Sequence, residues 1–124
     1  MLRHSACAVL AGALALAAAP ATAHHSAAMF DLAKTEAVQG VVTKYQWTNP
    51  HGFIFLDVPD GAGKAAEYSI ELTSPNLLLR RGWRPTSLKT GDRVAIVLNP
   101  FRDGAKGGRI VSVTTPDGKV LTER

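Results

Sequence analysis

One segment constrains this chain more than any other. Ser74 stands where a helix N-cap belongs, Pro75 takes the first helical position, and Leu77, Leu78 and Leu79 supply an apolar run. Arg80 and Arg81 then fall in the last turn, and Gly82 lies just beyond it. Each residue meets a separate need of a helix end: an oxygen for orphan N–H groups, a pre-set φ, cations near the negative pole, and freedom to turn left-handed. A single short helix is therefore expected here, and its flanks decide the fold.

Those flanks read as strands. Residues 37–47 are rich in β-branched and aromatic side chains around one glycine, which predicts a long first strand with a bulge at Gly40. Residues 53–58 form a second, closed by the turn Pro59-Asp60-Gly61, and residues 66–72 a third, with Tyr68, Ile70 and Leu72 on one face. After the helix come strands at 93–98 and 109–114, separated by a polar loop over 99–108, and a short tail strand over 119–121. Three strands, a helix and two strands is the element order of the OB-fold, so the expected fold class is all-β, a small OB-fold-like five-stranded barrel.

At the other end, Arg3 precedes an apolar run over 6–19, then Pro20-Ala21-Thr22-Ala23. Such a run is shorter than the ~20 residues a membrane-spanning helix needs, and Ala21 and Ala23 are the small residues a signal peptidase requires. The expected organisation is a signal peptide over 1–23, an N-terminal arm over 24–36 and the barrel over 37–124, with cleavage between Ala23 and His24. The mature protein is then periplasmic or secreted, and soluble. The one cysteine, Cys7, leaves with the leader, so neither disulfides nor a thiolate metal site is available. Removing Arg3 leaves 13 Lys and Arg against 10 Asp and Glu, a mild excess that is weak evidence for an anionic partner.

Cleavage would make His24 the first residue, followed by His25. A free amine and an N-terminal imidazole can chelate one metal ion together, and nitrogen-rich sites of this kind favour Cu(II). His51, the remaining histidine of the mature chain, could add a third nitrogen if the arm folds over the loop between the first two strands. The competing structural reading is a solvated chain end.

A ligand or partner surface is expected from Trp47, Asn49, Phe53, Phe55, Arg102 and Lys106, because the loops after strands one and four flank the binding face of an OB barrel. An aromatic, an amide, an imidazole and two cations there could hold an oligosaccharide or a small anion; turn chemistry accounts for the same residues equally well. With Ile54, Leu56 and Val58 inward, the outward set is Phe53, Phe55, Asp57, Glu67, Ser69 and Glu71. Three carboxylates on a solvated face would repel a phosphate backbone, which argues against nucleic acid. No serine among Ser26, Ser69, Ser74, Ser87 and Ser112 sits in a glycine-flanked elbow, so no enzymatic activity is expected.

Residues Ala23-His24-His25-Ser26 with Met29-Phe30-Asp31, then Trp47-Thr48-Asn49-Pro50-His51, Ser74-Pro75-Asn76 and Gly82-Trp83, together resemble a family of exported, proteobacterial-type proteins of unknown function. The resemblance spans the mature chain and implies a secreted or periplasmic protein; it supplies no catalytic residue. The functional expectation is a non-enzymatic binding or accessory domain, with Cu(II) as the sharpest ligand. The alternative is a module that docks on a larger exported or membrane-bound partner.

Overall fold

A computed structural model describes residues 27–124. The leader expected over 1–23, and His24 and His25 behind it, lie outside the described residues. The described chain forms β1 (Glu36–Gln46), β2 (Phe53–Pro59), β3 (Ala65–Glu71), α1 (Pro75–Arg80), β4 (Arg93–Pro100), β5 (Gly107–Thr114) and β6 (Val120–Thr122). Around the barrel the strands run β1, β2, β3, β5, β4 and back to β1; β6 adds outside β5. All pairings are antiparallel except β3 with β5, which is parallel and closes the barrel. The expected five-stranded barrel with one helix between its third and fourth strands is therefore the observed fold.

Closure depends on β1 serving two neighbours. Its first half, Glu36 to Val41, pairs with β4, and its second half, Val41 to Gln46, with β2. The bulge expected at Gly40 is instead at Thr43, where the register with β2 shifts between Val42 and Lys44. Gly40 pairs regularly with Val94, and its role is close approach: a Cβ there would stand 2.5 Å from the Asp57 carbonyl oxygen. The strand can bend hard at this point because no side chain opposes the neighbouring backbone.

Alternation fills the interior with Val42, Ile54, Leu56, Ile70, Ile96 and Val113. Helix α1 contributes Leu78, while Leu77 and Leu79 stay exposed, as a helix lying against the barrel on one side requires. Ser74 has the extended backbone of an N-cap but makes no side-chain cap bond, and Gly82 ends the helix with φ +86°. Behind it Trp83 is fully buried and donates its indole N–H to the Thr122 carbonyl at 2.8 Å, tying the post-helix segment to β6. The turn before β4 is held by Asp92, which accepts from the Lys89 backbone N–H and ammonium; those bonds hold its carboxyl below the ordinary value.

The arm is docked, not frayed, over its described part. Phe30 is fully buried, bridges to Phe101 and stacks on its ring at 5.3 Å, and Arg102 donates to the Met29 and Ala28 carbonyls. Asn99, expected in a polar loop, is instead buried at the end of β4 and donates to the Lys34 carbonyl at 2.7 Å. Among the described residues no helix is long and apolar enough to cross a membrane.

Candidate binding site

The outer face of β2 and β3 carries the residues that chemistry can use. The alternation that sends Ile54 and Leu56 inward turns Phe53 and Phe55 out, where both are half-buried with rings 25° from parallel and centroids 6.0 Å apart. Lys44, opposite Phe55 on β1, holds its ammonium 5.9 Å from the Phe55 ring centroid. Such a pairing of cation and aromatic face is favourable at about 0.5–1 kcal/mol at an exposed site.

Across the barrel this face continues as a row: Gln46, Phe53, Glu71, Arg109 and Asn99 are register partners on β1, β2, β3, β5 and β4. Glu71 was expected on a solvated face with Asp57 and Glu67. Those two are exposed, but Glu71 is only 3 % exposed. The strand parity was right and the environment was not: Glu71 lies between Phe53 and Arg109 in the closed sheet, where its neighbours exclude water. Beyond the row, the Arg109 Nε–H donates to the buried Glu123 carboxylate at 3.1 Å; burial raises the Glu123 carboxyl above its ordinary value, against the opposing pull of Arg109.

His51 enters this row from the loop between β1 and β2. Its Nδ1 lies 3.0 Å from the Leu72 carbonyl oxygen and 3.3 Å from Glu71 Oε1. The loop that delivers it is shaped by a cis Asn49–Pro50 bond and by the Thr48 hydroxyl donating to the His51 carbonyl. Gly52 then ties the loop to β3, accepting from Leu72 N–H and donating to the Thr73 carbonyl.

The other nominated residues are distributed unevenly. Trp47 packs half-buried against the core and edge-on to Tyr45, Asn49 is exposed, and Arg102 is engaged with the arm. Lys106 is exposed with its ammonium 6.0 Å from the Tyr68 ring, whose hydroxyl donates to Glu36. Phe53 and Phe55 are thus together with Lys44, and His51 with Glu71; Lys44 and Glu71 were not nominated from sequence. An open groove of about 730 Å³ lies elsewhere, lined by residues that include Gln39, Asp57, Arg93 and Pro116, and contains no histidine.

No curated protein and no solved structure matches this chain. A family model does match, over residues 11–110, a span that takes in the barrel strands as far as the first half of β5, the His51 loop and Glu71. The chain belongs to that family, DUF6152, a family of unknown function.

Proposed function

We propose that the mature chain is an exported, bacterial, non-enzymatic binding domain for copper(II), held by the amine and imidazole of His24, by His25 and by Nε2 of His51. The observation that carries this reading is how His51 is held. A carbonyl oxygen can only accept, so the proton belongs on Nδ1, facing Leu72, and Nε2 keeps the lone pair. Metal-binding imidazoles are generally fixed by their second nitrogen in this way, on a carbonyl or carboxylate. Among the described residues no three His, Cys, Asp or Glu form a metal-binding group, so His51 needs donors from the segment before Ala27.

The test compares protein beginning at His24, protein with a Met-Gly extension before it, and His51→Ala in the first form. The extension and the substitution are each expected to weaken copper binding about tenfold or more, read by titration. Equal, weak binding by all three would remove the copper reading.

A second reading is favoured by the Phe53 and Phe55 rings, half-buried beside Lys44 on an outer face. Under it this face docks on a larger exported or membrane-bound protein, aromatic rings at the centre and lysine at the rim. Changing both to serine is expected to abolish co-purification of that partner while copper titrates as before. A complex recovered undiminished would count against docking.

A further inference from the structure

The side chain of Glu71 is nearly fully buried, with 4 % of its surface exposed, yet its Oε1 forms no hydrogen bond of normal geometry among the described residues. A buried carboxylate in this condition is a poor contributor to stability, since an apolar side chain of similar size would fill the position without desolvating a charge. What Oε1 does have is the Nδ1 of His51 at 3.3 Å. The same nitrogen faces the carbonyl of Leu72, the next residue on the chain. Two consecutive residues thus present oxygens to one imidazole nitrogen, and the other, Nε2, meets no partner among the described residues.

We infer that Glu71 is the positioning residue of His51, reinforcing the Nδ1–H tautomer that the Leu72 carbonyl selects and supplying the charge that makes Nε2 a strong ligand for a metal cation. When Nε2 donates its lone pair to a cation, positive character spreads through the ring to Nδ1–H. The adjacent carboxylate stabilises that charge, and the loose 3.3 Å approach tightens into a full hydrogen bond. Leu72 can orient the ring but carries no charge. The carboxylate therefore separates a ring that is merely placed from one that is also activated. A glutamine at 71 removes the charge, and its amide N–H, donating to Nδ1 in competition with the Leu72 carbonyl, raises the share of the other tautomer.

The inference rests on the copper reading for its affinity arm only. Long-range 1H–15N NMR on metal-free protein beginning at His24 reads the tautomer directly. The wild type is expected to show Nδ1 protonated, Glu71→Gln to shift population toward Nε2–H, and Glu71→Asp to retain the wild-type pattern. Copper titration of the same proteins is expected to show a loss of roughly 10- to 100-fold for Glu71→Gln with partial recovery in Glu71→Asp. An Nε2–H tautomer in the wild type overturns the inference whatever copper does. An unchanged tautomer and unchanged affinity in Glu71→Gln also overturns it, while leaving the copper reading standing. Wild type that binds no copper, with the tautomer shift present, removes the functional reading and upholds the role of Glu71. If Glu71→Gln does not fold, the wild-type tautomer and the Glu71→Asp titration decide.

Discussion

Gly107→Ala is expected to pull the urea unfolding midpoint of the domain far below that of the wild type. Gly107 has φ +126°, and a Cβ built on it would lie 2.0 Å from the Ser69 carbonyl oxygen and 2.8 Å from the carbonyl carbon. Neither atom is the end of a flexible side chain. Both belong to β3 at the position where it pairs with Gly107, the contact that closes the barrel. Relief would require β3 and β5 to separate, which also removes the hydrogen bond from Ser69 N–H to the Lys106 carbonyl. A loss of roughly 4 kcal/mol or more is the scale for such a change, against roughly 5–15 kcal/mol of total stability in a small domain. Urea unfolding followed by far-UV circular dichroism measures it. Gly63→Ala is the control: φ is +78° but the space is open, so only backbone strain of about 1–2 kcal/mol applies. Equal midpoints for the two variants would mean that β3 and β5 do not approach as described.

Trp83→Ala is expected to cost about as much through a different mechanism. The side chain is wholly buried in the core cluster, and truncating a buried tryptophan typically costs about 3–5 kcal/mol in lost contacts and cavity. The variant also strands the Thr122 carbonyl, which accepts the indole N–H at 2.8 Å and has its partner strand only on the β5 side. Trp83→Phe separates the two effects. It keeps most of the volume, and its expected loss, about 1–3 kcal/mol, reports chiefly the unpaired carbonyl. The same unfolding experiment serves, and an alanine variant within about 1 kcal/mol of wild type would show that the segment after α1 is not joined to β6 through this residue.

Both residues illustrate what could be read from the chain and what could not. Trp83 lies one place after Gly82, the expected helix end, and in the sequence stood out only as part of a family motif; its bond to Thr122, 39 residues away, was not legible. Gly107 looked like part of a polar, glycine-rich loop; its real function, allowing two backbones to touch, exists only because β3 and β5 pair in parallel. The outward parity of Phe53 and Phe55 followed from alternation alone, and Lys44 joined them only through the β1 bulge at Thr43, which resets which residue faces Phe55.

His51 and Glu71 mark the boundary most clearly. By itself the sequence determined the number and order of the strands, the single helix between the third and fourth, and the alternation that divides core from surface. These depend on short-range periodicity and turn chemistry, which a linear string records. Tertiary structure alone decided that Glu71 is buried, that its oxygen meets His51, and that Phe30 docks the arm on Phe101. Those outcomes depend on strand register and barrel closure, where pairs distant in the chain become neighbours and water is excluded from between them.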